Sequence, residues 1–170
     1  TIALALKFIE DGSEYVGEWY ENKFDGEGTF TWTNGAQYTG EFFAGERWGF
    51  GTFSTPNGYS YVGWWKNNQK YRHGIGKLST GTKYNGEYVA DKRNGIGILS
   101  FATGEKYVGT FKDDLPSGFG ISTHANGDIY VGEVTGEGWN GQGIFVSANG
   151  DAKKEGIWKD SNLQSTKNFQ

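Results

Sequence analysis

The chain contains no cysteine and no methionine, and only two prolines and two histidines among its 170 residues. Without cysteine there is no disulfide, no thiolate metal ligand and no cysteine nucleophile. Cations are scarce too: 16 Lys and Arg stand against 20 Asp and Glu, giving a net charge of -4 and a pI near 5.2. That balance argues against nucleic acid as a partner, because a phosphate backbone needs clustered positive charge. Long hydrophobic runs are also missing. The best candidate, Ile2 to Ile9, is interrupted by Lys7 and falls short of the roughly 18 residues that a membrane helix needs. The chain is therefore expected to be soluble, either cytoplasmic or a processed exported form. Its start at Thr1 without any Met fits a processed form or a fragment.

What is abundant is glycine, 29 residues, and aromatic side chains, 17% of the chain. Average proteins carry about 7% Gly. Both excesses are periodic. Tyr stands at 15, 38, 61, 84, 107 and 130, each followed two residues later by Gly, a spacing of 23. A turn glycine keeps the same beat at 12, 35, 58, 81, 104 and 127, and again at 150. This is a tandem repeat, which offers an extended surface more readily than a catalytic pocket.

Within the second copy, Tyr38-Thr-Gly40-Glu-Phe42 alternates with the period of a half-covered strand, as does Gly49-Phe-Gly51-Thr-Phe53. A turn through Ala44 to Trp48 separates them, and Pro56-Asn57-Gly58 closes the unit with a strong turn signal. Each repeat is read as a β-hairpin. Glycine opposite an aromatic residue lets the ring lie flat over the backbone. Tyr15, Trp19, Tyr38, Phe42, Tyr61, Trp65, Tyr84, Tyr88, Tyr107, Phe111 and Tyr130 are the expected ladder, and the ladder is the expected core.

Tyr-x-Gly-x-aromatic, a turn, Gly-x-Gly-x-apolar and a second turn in 23 residues resembles the MORN repeat, from about Gly12 to Trp158. The resemblance implies an all-β, elongated, single-layer antiparallel sheet of tandem β-hairpins with a groove. It also implies scaffold or adaptor work, with anionic membrane surfaces as a second role and attachment to a larger enzyme as a third. The expected boundaries are a single array over 1–160, made of a half repeat at 1–14, six repeats at 15–152 and a degenerate cap at 153–160. A polar tail at 161–170 follows.

Departures from the pattern draw attention to the third copy. Its Gly pair is read at 74 and 76, two residues late, so Lys66 to His73 is expected as a longer, basic loop. Trp64 stands where other copies carry Glu18, Glu41, Glu87 and Glu133, a row read as a solvated face. Alternation places Trp64 opposite Trp65, within expected reach of Tyr20 and Phe43. The candidate partner-binding residues are therefore Trp64, Tyr20, Phe43, Lys70, Tyr71 and Arg72.

Nothing reads as catalytic machinery. His73 precedes Gly74, where MORN repeats commonly carry His, and His124 sits at a strand end before a turn; neither has metal-ligand spacing to a second group. The Gly-x-Gly pairs lead into no helix, so they are not phosphate loops. No catalytic residue, cofactor or metal is expected. A protein or peptide partner is, with a membrane surface as the alternative.

Overall fold

A computed structural model describes residues 3–166. It is all β. The strands are β1 (Ala3–Phe8), β2 (Glu14–Tyr20), β3 (Lys23–Thr31), β4 (Gln37–Phe43), β5 (Glu46–Ser54), β6 (Ser60–Lys66), β7 (Gln69–Lys77) and β8 (Lys83–Val89). They continue as β9 (Lys92–Ser100), β10 (Lys106–Lys112), β11 (Leu115–Thr123), β12 (Ile129–Thr135), β13 (Gly138–Val146), β14 (Lys153–Lys159) and β15 (Asn162–Thr166). Strand order in the sheet is chain order, as tandem hairpins require. Two units are distinguished, Thr1–Thr80 with Glu87–Asp91 and Gly81–Gly86 with Lys92–Gln170, where the sequence had been read as one array. The first carries β1 to β7 and the second β9 to β15, and within each all paired strands are antiparallel. The segment from Ser161 onward is not simply a tail: β15 pairs with β14 there, and residues 167–170 lie outside the described residues.

Two turns alternate. The hairpin turn is only two residues long, as at Ala44-Gly45 and Asn67-Asn68, with positive φ at both positions. That geometry matches the twist of the flanking strands and leaves Glu46 to Trp48 inside β5, not in a loop. The other turn is Thr55 to Tyr59, closed by the Thr55 N–H on the Tyr59 carbonyl at 3.0 Å, and Gly58 supplies its left-handed residue at φ 90°. The extra residue of the seventh copy is absorbed in the equivalent turn, where Ser147 N–H reaches the Ala152 carbonyl at 2.9 Å.

The core is the tyrosine ladder. The ring runs forward along its own strand and its hydroxyl donates to a carbonyl three residues on, from Tyr15 to Glu18 at 3.0 Å, Tyr38 to Glu41 at 2.9 Å and Tyr130 to Glu133 at 2.9 Å. Beneath the ring two glycines face each other across the strands, Gly17 and Gly28, Gly40 and Gly51, Gly63 and Gly74. A β-carbon on Gly63 would sit 2.5 Å from Gly74 Cα and 2.6 Å from Tyr61 Oη. No such contact is tolerated. The aromatic residue four positions on meets the Tyr edge to face, Tyr38 with Phe42 at 5.0 Å and Tyr61 with Trp65 at 5.0 Å. Trp65 also donates its indole N–H to the Gly51 carbonyl at 3.1 Å, and Trp19 is the one ladder residue left half-buried.

A bulge recurs from hairpin to hairpin, and it redefines the acidic row. Between Gly40 and Phe42 the register of β4 on β5 slips, and Gly49 turns into the left-handed region at φ 62°. The Glu41 carboxylate fills that space and accepts the Phe50 N–H at 2.8 Å. Glu18 does the same for Glu27 at 3.2 Å, and Glu133 for Gln142 at 3.1 Å. These carboxylates are bulge anchors as well as surface charges. The third copy does not run late: Gly74 faces Gly63 in phase, and the residue in the Gly49 position is Arg72, at φ 54°. Lys66 to His73 is accordingly no enlarged loop. Asn67-Asn68 is the usual tight turn, and β7 begins at Gln69.

Three outcomes are expected. Gly63→Ala, which in an open strand would gain stability, should lose about 1 to 3 kcal/mol by overpacking, while Thr52→Val on the other face should stay within about 0.5 kcal/mol. Urea midpoints measure both. Arg72→Gly relieves a left-handed side chain and should raise stability by roughly 1 kcal/mol. Burial pushes the phenols of Tyr15, Tyr107 and Tyr130 up to about 12, and raises those of Tyr38 and Tyr61 too. The folded state thus keeps protons that the unfolded chain releases near pH 10, so stability should be complete below about pH 10 and fall as pH rises toward 12.

Candidate partner-binding surface

Position by position, most residues of a repeat are occupied with local structure. The third residue of β3 is Asp25 in the first copy, whose carboxylate accepts the Ala44 N–H at 3.1 Å. Its equivalent Asn140 accepts the Asp160 N–H at 3.4 Å. In the second and third copies the same position holds Trp48 and Tyr71. At the bulge, the anchoring Glu is replaced by Trp64 and the glycine by Arg72. Four side chains are thereby released from structural duty in one neighbourhood.

They converge, all within the first unit. Trp48, Trp64, Lys66, Tyr71 and Arg72 line a groove of about 210 Å³. Lys66 Nζ lies 5.8 Å from the Trp48 ring and 5.5 Å from the Tyr71 ring, and the Arg72 guanidinium stands 5.7 Å from Tyr71. Trp64 is 41% exposed and meets Phe50 edge to face at 5.9 Å. Phe43 reaches Trp48 at 5.6 Å, so it borders the cluster through that ring. Tyr20 stands apart on the first hairpin, opposite Lys23. The sequence reading missed Trp48 and Phe50; a column-by-column comparison of Asp25, Trp48, Tyr71 and Asn94 would have exposed the first.

Lys70 belongs to the other face. Its Nζ lies 5.6 Å from Tyr59, 5.6 Å from Tyr61 and 5.5 Å from Tyr88. This is the column of Phe24 and Trp139, which stack on Tyr15 at 4.1 Å and on Tyr130 at 4.3 Å. In the second, third and fourth copies a cation takes the ring's place, and in the fifth Pro116 does: Arg47 lies 5.8 Å from Tyr38, and Arg93 5.7 Å from Tyr84. Arg47 is clamped by Asn68, its Nη2 donating to the Asn68 carbonyl at 2.7 Å, and Arg93 pairs with Asp114 at 3.2 Å. These cations serve the ladder.

The second unit presents a different surface. Phe119, 67% exposed, Val131, Ile144 and Ile157 line an apolar groove of about 390 Å³ beside β15. His124 sits at its strand end with its ring 5.4 Å from Trp139 and a buried Nε2 that meets no partner among the described residues. His73 is exposed on β7. No helix among the described residues is long and apolar enough to cross a membrane.

No curated protein matches the chain. Among solved structures, it is similar to the SAS-4 (dCPAP) TCP domain of Drosophila melanogaster, in complex with a proline rich motif of Ana2 (dSTIL). The identity is 12% and the TM-score 0.51, covering 91% of this chain and 90% of that one. It is also similar to the wild-type TCP10 domain of Danio rerio CPAP in complex with a peptide of Danio rerio STIL. There the identity is 13% and the TM-score 0.50, covering 88% of this chain and 66% of that one. At such identity the likeness is one of fold. A family model described as MORN repeat matches residues 15–37, 38–58, 84–106, 107–129 and 137–152. Between these matches 59–83 and 130–136 are unmatched, and 59–83 holds the copy in which Trp64 and Arg72 replace the Glu and Gly of the bulge. With more than half of its residues matched, the chain belongs to the MORN-repeat family.

Proposed function

We propose that this array is a non-catalytic interaction module that holds a segment of a protein partner against its second and third repeats. One observation carries the reading. Trp48, Trp64, Tyr71 and Arg72 occupy positions that elsewhere hold a turn cap, a bulge anchor or a left-handed glycine, and together they form an exposed aromatic groove rimmed by cations. A left-handed arginine costs stability, on the order of 1 to 2 kcal/mol, and backbone strain of this kind concentrates at binding sites. Exposed Trp, Tyr and Arg are also the side chains that dominate binding energy at interfaces. The two TCP domains of similar fold are in complex with a proline rich motif and with a peptide, which supports the reading without placing the site.

The membrane alternative loses its cationic patch. Lys66 and Arg72 lie in the groove, Lys70 is over the tyrosine ladder, and Lys92 and Arg93 pair with Asp113 and Asp114 at 3.6 and 3.2 Å. Two free cations would contribute only about 2 kcal/mol on an anionic surface.

A variant that returns all four positions to the residues of other copies, Trp48→Asp, Trp64→Glu, Tyr71→Asn and Arg72→Gly, should fold and melt no lower than the parent. Peptides selected from a random display library on the parent chain should bind it at least tenfold more weakly, as the loss of a hot spot of about 2 kcal/mol requires. Equal affinity for parent and variant would move the partner surface elsewhere.

A further inference from the structure

The groove has a geometry that selects among peptides. The strands β5 and β6, which carry Trp48, Trp64 and Lys66, are interior, each bonded on both sides, so they offer no free row of backbone N–H and carbonyl groups for an added strand. A ligand must therefore bind through its side chains, in a conformation whose own backbone stays hydrated. Polyproline II is that conformation, and its rings pack on aromatic faces at small entropic cost. The spacing agrees. Trp48 and Tyr71 are one repeat apart, hence two strands, ~9.6 Å measured across the strands at the usual separation, with an offset along them where the β6–β7 bulge intervenes. A polyproline II chain returns to the same side every three residues, ~9.3 Å along its axis. Prolines at i and i+3 thus fall in step with the two rings when the peptide crosses the strands.

Between the rings stands Lys66, with Nζ within 6 Å of both, and Arg72 flanks Tyr71. The ion pairs among the described residues are Lys92 with Asp113, Arg93 with Asp114 and Lys153 with Glu155; neither Lys66 nor Arg72 joins them. In a chain of net charge -4, two uncompensated cations in one groove call for an anionic partner. We infer that the groove recognises a Pro-x-x-Pro segment with an acidic residue between its prolines. The prolines seat on Trp48 and Tyr71 under cover of Trp64, and the carboxylate meets Lys66 and Arg72. This rests on the interaction-module reading above and names its ligand.

The test uses the whole chain and fluorescein-labelled peptides in which Pro-Glu-Ala-Pro is flanked by alanines, read by anisotropy and by the indole N–H resonances of Trp48 and Trp64. The parent should bind, the two indole signals should move, and replacing either proline by Ala should weaken binding about tenfold or more. Exchanging Glu for Gln in the peptide should weaken binding to the parent and change nothing for the double variant Lys66→Ala, Arg72→Gly, which leaves the rings in place. Binding should weaken with salt. Failure of this peptide alongside display-selected ligands that lack prolines yet depend on the groove would overturn the ligand assignment and leave the interaction module standing. Equal binding of proline and alanine peptides would also sink it. A dimer in sedimentation that Trp64→Glu dissolves would assign the groove to a second copy of this chain. Ligands indifferent to all groove variants would remove both readings.

Discussion

A tyrosine ring lying flat on two facing glycines is the constraint from which the rest of this structure follows. The ring can lie down only where neither strand carries a β-carbon, and it is pinned there by the hydroxyl's bond to the carbonyl three residues ahead. The Tyr and its glycine must then share a strand two residues apart, and the second glycine must stand across the hairpin. Turn lengths are fixed in consequence. Lengthening a hairpin turn by one residue would bring a side chain under the ring, so the two-residue turns with positive φ are part of the same requirement.

Because the ladder supplies the core from one face, the other face carries no packing obligation. It is held by smaller devices: carboxylates that fill the bulges, and strand residues that cap neighbouring turns. Each device uses one position per repeat and stabilises by about one hydrogen bond, roughly 1 kcal/mol. Such positions can be given up singly without unfolding the array, since in repeat proteins each unit answers mainly to its neighbours. The second and third copies give up four of them.

Period, strand alternation and the ladder were legible in the sequence because one residue type at one position performed each role in every copy. Tyr15, Tyr38, Tyr61 and Tyr130 are fully buried for that reason. The third copy was misread because Gly74-Ile-Gly76 looks like the usual pair displaced by two, whereas pairing shows Gly74 in phase and Gly76 under Tyr88 instead. Sequence spacing does not reveal which residue adopts a left-handed backbone when that residue is arginine. The acidic row was misjudged for a related reason: a carboxylate accepting a backbone N–H across a bulge and a solvated one look alike without the register. Lys70 was assigned to the partner surface on charge alone, and only the bulge after it shows that it turns to the tyrosine side while Tyr71 and Arg72 turn away.

Arg72 joins these threads. A glycine at its position would suit the backbone, as Gly26, Gly49, Gly95, Gly118 and Gly141 do at the same place in their copies. Nor does the local fold reward the arginine, since the carboxylate that anchors other bulges is here an indole. Its guanidinium lies beside Tyr71 on an exposed surface, where a cation–π contact contributes about 0.5 to 1 kcal/mol and at best cancels the backbone strain. Trp64 leaves 41% of its surface in water at a position where a Glu would close the bulge. Both replacements are therefore neutral or costly for the isolated chain. On the proposed function, their compensation lies in what the groove between Trp48 and Tyr71 holds.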